Sequence, residues 1–131
     1  VTCNTRYPVI ELMESQRAIK RKGGTMRLGA YDCTIEPGTK TYAAYRKKKT
    51  SERHRHRWEV NNRYRDRLVK NGLKISGINE ELNLVEIIEL PNHPWYVAGQ
   101  FHPELKSRVS KAHPLFREFI KATVKHLNGK S

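Results

Sequence analysis

Hydrophobic and polar positions alternate along several short runs of the chain, and turn-forming residues separate these runs. Over residues 25–35 the alternation places Met26, Leu28 and Ala30 on one face of a predicted strand. The turn EPGT ends this strand, because proline presets φ and glycine accepts positive φ. Similar runs predict strands at residues 73–78, 84–90 and 95–101, the last two as a hairpin.

Helical periodicity is clearest near the carboxyl end. Pro114 suits the first turn of a helix and Gly129 its end. Between them, apolar residues recur at helical spacing, which predicts an amphipathic helix that packs on a sheet: Leu115, Phe116, Phe119, Ile120, Val124 and Leu127. Residues 63–72 predict a charged surface helix, residues 42–49 one helical turn and an exposed loop, and residues 8–20 either a short helix or an extended segment.

Composition limits the classes of protein that fit. The chain has 131 residues, of which 37% are hydrophobic, enough for one domain or part of one with a modest core. No apolar stretch approaches the ~18 residues of a membrane helix, and the first residues do not resemble a signal peptide. The two cysteines, Cys3 and Cys33, form no dense framework, which favours a reducing cytoplasm. The net charge of +13 permits polyanion binding.

The sequence RHRHR at residues 53–57 predicts a strand with two different faces. One face would carry Arg53, Arg55, Arg57 and Glu59, and the other His54, His56, Trp58 and Val60. The planar guanidinium of arginine binds carboxylates through two hydrogen bonds. We therefore expect the arginine face to line a pocket for an anionic or zwitterionic ligand, while a solvated surface remains the alternative.

The segment QFHPE, residues 100–104, has the strongest chemical character. Pro103 restricts His102 to an extended conformation, so His102 and Glu104 can point toward one space at the end of a strand. A histidine beside a carboxylate forms a base with an orienting partner, which normally activates a cysteine or serine. Neither Cys3 nor Cys33 lies on a nucleophile elbow, so both are predicted to be ordinary thiols.

Four segments carry a resemblance to a known family. They are GGTMRLGA, ERHRHRWEVNN, LVEIIELPNHPWYVAGQFHPE and HPLFREFIKA. Together they closely resemble the carboxyl-terminal half of the glutamine amidotransferase domain of CTP synthases, over about residues 5–125. The resemblance implies an α/β fold, the C-terminal half of a flavodoxin-like class I glutamine amidotransferase domain, with a mixed sheet and packed helices. Residues 1–131 would be a partial domain of this kind.

The resemblance also implies a function for the parent protein. It would hydrolyse glutamine through a Cys-His-Glu triad, and a synthase domain would use the ammonia, ATP and Mg²⁺ to aminate UTP to CTP. By motif match, His102 is similar to the triad base, Glu104 to its orienting carboxylate, and Arg57 to a residue that holds glutamine. Residues 24–27 resemble a lid in a region associated with activation by GTP. The parent would be a cytoplasmic homo-tetramer, and no cofactor or metal is expected in this chain.

This chain also departs from the family pattern. The cysteine elbow, similar to GICLG, the oxyanion-hole glycines and the glutamine-binding glutamate are not found in its sequence. We therefore expect the chain to be inactive alone.

Two other functions remain open from the sequence. A basic, non-catalytic nucleic-acid-binding module would use the positive charge, although no RNP, KH or zinc-knuckle signature occurs. Zinc binding would use four histidines whose spacing matches no common zinc finger: His54, His56, His93 and His102.

Overall fold

The structure, a computed structural model, describes residues 5–12 and 26–129. Its strands are β1 (Ile10–Leu12), β2 (Arg27–Ile35), β3 (Lys49–His56), β4 (Trp58–Val60), β5 (Lys74–Asn79), β6 (Leu84–Glu89) and β7 (Val97–Gly99). Its α-helices are α1 (Lys40–Tyr45), α2 (Arg65–Lys70) and α3 (Pro114–Asn128), with short 3₁₀ turns at Asn62–Tyr64 and Pro103–Leu105.

Five strands form a curled sheet in the order β3-β2-β5-β6-β7, and β1 pairs separately with β4. Strands β2 and β3 form a long ladder from Arg27↔His56 to Thr34↔Lys49. All of these pairings are antiparallel, so the described residues contain no parallel pair of the kind that a mixed sheet would add. The α/β class with packed helices is confirmed.

Most predicted elements are present. The strands over residues 25–35, 73–78 and 84–90 are confirmed, and β6 and β7 form the expected hairpin. The helix after Pro114, the helical turn at α1 and the charged helix at α2 are also confirmed. Of the ambiguous run at residues 8–20, residues 10–12 are extended as β1, and residues 13–20 lie outside the described part.

The predicted apolar face of β2 is not the face that enters the core. Leu28 and Ala30 are exposed, whereas the opposite face buries Arg27, Cys33 and Ile35. The first residue of the buried face is Arg27, whose charge is paired with carboxylates in the interior. A polar residue therefore lies on the buried face of this strand, and the hydrophobic pattern alone assigns the wrong face to the core. Within the described part of the chain, the main cluster of buried hydrophobic residues contains Cys33, Ile35, Ala44, Tyr45, Ile87, Phe101 and Leu115.

Helix α1 is fixed to the sheet by hydrogen bonds at its first turn. The side chain of Thr39 accepts a bond from the Tyr42 N–H and caps the helix. The carboxylate of Glu89 on β6 accepts bonds from the N–H groups of Lys40 and Thr41 and from the Thr41 hydroxyl. An acidic group at this position also complements the positive end of the helix dipole.

Helix α3 begins as predicted but leaves most of its apolar face uncovered. His113 accepts a bond from the Leu115 N–H, and Pro114 occupies the first turn. Leu115 is the only buried residue of the helix, while Phe119 and Ile120 are exposed. The predicted packing is therefore confirmed only at the start of the helix, where Leu115 joins the core, and the rest of the apolar face is exposed. Instead, a cleft of about 410 Å³ opens between α3 and the edge strand β7.

Candidate functional site

The His102 and Glu104 side chains meet just after β7. The Nδ1 atom of His102 lies 2.6 Å from Oε1 of Glu104, and both side chains are partly exposed, 40% and 58%. The hydrogen bond from His102 lowers the pKa of Glu104. Because an ionised carboxylate only accepts hydrogen bonds, Nδ1 is the donor in this contact, and Nε2 is the ring nitrogen left to exchange a proton with another group. The pair thus has the geometry of an oriented general base.

This pair lies beside the arginine strand. The backbone N–H of His102 donates to the carbonyl oxygen of Arg53 at 2.8 Å, which joins the end of the QFHPE segment to β3. Pro103 opens the following 3₁₀ turn, and this turn brings Glu104 back toward the imidazole. Two segments that the sequence marked as chemical, far apart along the chain, are therefore neighbours in space.

The two faces of RHRHR are only partly as expected. Arg53 and Arg55 are exposed, and the histidines point inward. The strand breaks at Arg57, an exposed residue in the bend between β3 and β4. This bend changes the register, so the prediction that Glu59 shares the arginine face is wrong: Glu59 is buried.

Beneath the arginine strand lies a buried charged cluster that the sequence pattern did not indicate. The guanidinium of Arg27 contacts Glu59 at 3.1 Å and Glu86 at 2.6 Å, and it stacks over the ring of Tyr31 at 4.3 Å. The second oxygen of Glu86 lies 2.6 Å from Nε2 of His54. Burial alone would lower the pKa of Arg27, but its two carboxylate partners raise it.

Two buried carboxylates on this side of the sheet have pKa values shifted in opposite directions. Burial raises the pKa of Glu59 despite the charge of Arg27. At Glu52 burial also acts to raise the pKa, but hydrogen bonds and charge from His113, together with Lys106 and Tyr45, outweigh it, so the pKa is lowered. Glu52 and Glu86 occupy inward positions of their strands, where a carboxylate requires a partner, but the local sequence does not indicate which residues those partners are.

The thiol of Cys33 has no access to the His102 pair. Its side chain is fully buried in the core, and burial raises its pKa to about 12. A nucleophile needs the opposite, a lowered pKa and access to solvent. The prediction that Cys33 is an ordinary thiol agrees with this environment, whereas Cys3 lies outside the described residues.

The four histidines considered for zinc do not converge. His54 and His56 lie side by side, His93 contacts Tyr96 in the β6–β7 loop, and His102 binds Glu104. Within residues 5–12 and 26–129, no group of three or more His, Cys, Asp or Glu side chains is placed to hold a metal ion.

No helix in the described residues has the length and apolar character needed to cross a membrane. Of the predicted lid at residues 24–27, only its last two residues are described, and Arg27 belongs to the buried cluster.

Comparison with known proteins identifies relatives that align with most of this chain. The chain is 54% identical over 132 residues to a CTP synthase of Trichlorobacter lovleyi, 59% over 123 residues to one of Chloroflexus aurantiacus, and 60% over 119 residues to one of Methanosphaera stadtmanae. These alignments cover 96%, 94% and 91% of this chain but 25%, 22% and 22% of the relatives. The chain thus spans about a quarter of the length of the curated relatives it matches.

Solved structures agree with this likeness. The glutaminase domain of Trypanosoma brucei CTPS, with bound acivicin, superimposes with a TM-score of 0.85 at 34% identity, and the match covers 93% of this chain and 48% of that one. A putative GMP synthase component from Thermoplasma acidophilum, at 14% identity and a TM-score of 0.62, shares the fold over 92% of this chain and 51% of that one. None of these matches supports the nucleic-acid-binding alternative. The family model of the class I glutamine amidotransferases matches residues 6–122, and the chain therefore belongs to that family.

Proposed function

We propose that this chain forms the carboxyl-terminal part of the glutaminase domain of a CTP synthase, and that His102 is its general base. The observation that carries the proposal is the 2.6 Å hydrogen bond between His102 and Glu104, placed next to the arginine strand in a member of the class I glutamine amidotransferases. The high identity to CTP synthases, against 14% to the GMP synthase component, favours the former branch of the family.

The reaction follows from the protonation of the pair. Nε2 of His102 accepts the proton of a cysteine thiol, and the thiolate attacks the side-chain amide of glutamine. His102 then donates that proton to the departing nitrogen, which releases ammonia and leaves a glutamyl thioester. Water, deprotonated by His102, hydrolyses the thioester to glutamate and restores the thiol. Glu104 keeps the proton on Nδ1 and stabilises the imidazolium in each step.

Glutamine recognition is assigned to Arg57. Its exposed side chain lies at the bend that follows β3, the strand whose Arg53 carbonyl holds the His102 backbone. A guanidinium there can bind the α-carboxylate of glutamine through two parallel hydrogen bonds. Arg57→Lys would keep the charge but lose this fork, so the KM for glutamine should rise.

The cysteine nucleophile comes from a part of the domain beyond this chain's match. Cys33 is unsuitable, and the Trypanosoma brucei glutaminase domain is about twice as long as the region aligned here. The exposed apolar side of α3 and the cleft beside β7 give a surface against which such a part can pack. Because β7 is an edge strand that leads directly to His102, a segment docked there lies close to the imidazole.

The remaining functions of the whole enzyme follow from its resemblance to CTP synthases. Ammonia would pass to a synthase domain that aminates UTP with ATP and Mg²⁺, a step in pyrimidine nucleotide biosynthesis, with GTP as activator. The enzyme would be a cytoplasmic homo-tetramer. ATP and Mg²⁺ would bind the synthase domain.

Substitution of His102 in the whole enzyme tests the proposal. His102→Ala should reduce glutamine-dependent CTP formation by about 10²–10⁴-fold, the usual contribution of a general base. CTP formation from free ammonia should stay unchanged, because it bypasses the imidazole. Glu104→Ala should cost less than His102→Ala, and His126→Ala, an exposed histidine on α3, serves as control. Equal loss with glutamine and with ammonia would reject the assigned role.

The chain alone offers a second test. We expect no glutamate release from glutamine by the purified polypeptide. Release that disappears in His102→Ala would show that a thiol of this chain acts as nucleophile, and the assignment of the cysteine to another segment would be wrong.

A further inference from the structure

The backbone of residues 100–102, here called the catalytic strap, is held at two points. The N–H of Gln100 donates to the Glu86 carbonyl on β6 at 2.9 Å, and the N–H of His102 donates to the Arg53 carbonyl on β3 at 2.8 Å. In the sheet order, β2 and β5 separate these two strands. The strap therefore spans the curl of the sheet, and the position of His102 depends on the distance between β3 and β6.

One buried pair of side chains ties the two anchoring strands together. Nε2 of His54 lies 2.6 Å from Oε2 of Glu86, and both side chains are 0% exposed. Glu86 itself provides one anchor, and His54 follows Arg53, which provides the other. The ring of Phe101, in the middle of the strap, packs edge-on against the His54 ring with the centroids 5.9 Å apart. The His54–Glu86 pair thus contacts the middle of the strap through Phe101 and joins the two strands that hold its ends.

Hydrogen-bonding groups on both sides fix the orientation of this pair. Nδ1 of His54 lies 3.1 Å from the backbone carbonyl of Glu52, and Nε2 faces the Glu86 carboxyl group. Arg27 donates a hydrogen bond to the other oxygen of Glu86 at 2.6 Å and contacts Glu59 at 3.1 Å. The His54 ring is thus held between β3 and β6, and Glu86 is held from two directions.

We propose that the buried His54–Glu86 pair, with Arg27 bound to Glu86, is a positioning device that sets the location and orientation of the His102 imidazole for glutamine hydrolysis. The inference rests on the proposed function, because it gives the pair a role in the reaction of His102. Neither residue touches substrate. Loosening the pair would let β3 and β6 separate and would displace the strap, and a displacement of about 1 Å can cost on the order of 10²-fold in rate.

The test is Glu86→Gln in the whole enzyme. The amide keeps the size of the side chain but cannot accept charge-assisted bonds from both His54 and Arg27. We expect the kcat of glutamine-dependent CTP formation to fall about 10- to 100-fold. The KM for glutamine should change less than about threefold, since binding groups remain in place. Ammonia-dependent activity should equal that of the unmodified enzyme.

The matched control is Glu89→Gln. Glu89 lies on the same strand and is as deeply buried as Glu86, but its partners belong to α1 rather than to β3. Glutamine-dependent kcat should be unaffected in this variant. A second variant, His54→Gln, removes the imidazole from the other side of the pair and should reproduce the kcat loss, which keeps the test decisive if Glu86→Gln does not fold.

The possible outcomes separate this inference from the proposed function. If His102→Ala abolishes glutamine use while Glu86→Gln and His54→Gln keep normal kcat, the positioning role is wrong and the base assignment stands. Equal losses in Glu86→Gln and Glu89→Gln, or a loss confined to KM, would also overturn the positioning role. If His102→Ala itself retains glutamine-dependent activity, the proposed function fails first.

Discussion

His56 makes the folded protein sensitive to mild acid. Its side chain is 14% exposed, and neither ring nitrogen has a hydrogen-bond partner among the described residues. Nδ1 lies 3.3 Å from Glu59, but the orientation is not that of a hydrogen bond. Burial, followed by the nearby charges of His54 and Arg27, lowers the pKa of His56 from 6.5 to about 4. His56 is therefore neutral in the folded protein at a pH where the unfolded chain is protonated.

The size and sign of the effect follow from linkage. Between pH 6.5 and pH 4 the unfolded state binds more protons at this site, so the free energy of unfolding decreases as the pH falls through that window. With pKa values of 6.5 and about 4, the loss relative to neutral pH is about 1 kcal/mol at pH 5.5 and about 2–3 kcal/mol at pH 4.5. Well above pH 6.5 the site contributes no pH dependence, because it is neutral in both states.

Urea unfolding at pH 7.5, 6.5, 5.5 and 4.5 measures this directly in the purified chain. His56→Gln cannot titrate at this position. The difference in unfolding free energy between it and the unmodified chain should therefore change by about 2–3 kcal/mol from pH 7.5 to pH 4.5, in favour of the variant at the lower pH. His126→Gln makes the same change at an exposed position and controls for it. A difference that stays constant with pH in His56→Gln would show that the imidazole is solvated or charged in the folded state, contrary to its buried, unpartnered environment.

Three further changes have predictable results. Gly77→Ala should lower the free energy of unfolding by about 1–3 kcal/mol, because the added Cβ would lie 2.7 Å from Ile87 and 2.8 Å from the Cys33 sulfur. Gly129→Ala is the control for the same urea experiment and should have less effect, because the nearest atom there is 3.4 Å away. The Cys33 thiol should resist iodoacetamide at pH 8 in the native state and react after unfolding, as site-resolved mass spectrometry can show; native labelling would contradict its burial. Glu89→Gln should lower the unfolding free energy by about 1–3 kcal/mol through weaker capping of α1, and an unchanged midpoint would refute the capping role.

The fold could be predicted where local periodicity and packing agree. The hairpin of β6 and β7 has strong alternation and turn residues between its strands, and α3 has a proline start and helical spacing. The inward face of β2 could not be predicted, because alternation alone does not say which face is buried. Arg27 enters the core only because Glu59 and Glu86, distant in sequence, arrive to neutralise it. Long-range charge pairing of this kind leaves no local pattern.

The candidate site shows the same division. His102 and Glu104 are two residues apart, so a proline-directed turn was enough to predict that they meet. The bend at Arg57 and the inward turn of Glu59 depend on the pairing of β4 with β1, which residues 52–62 alone do not encode. The support of the strap by Glu86 was equally hidden, since the apolar run around it predicts only a buried strand.

Both anchors of the catalytic strap are peptide N–H groups rather than side chains. These two hydrogen bonds do not depend on which side chains occupy positions 100 and 102. The side chains there can therefore be replaced while both backbone hydrogen bonds are kept. This makes His102→Ala a clean deletion of one imidazole. Proline is the exception: without an N–H, it would release an anchor at either position and alter the scaffold together with the chemistry.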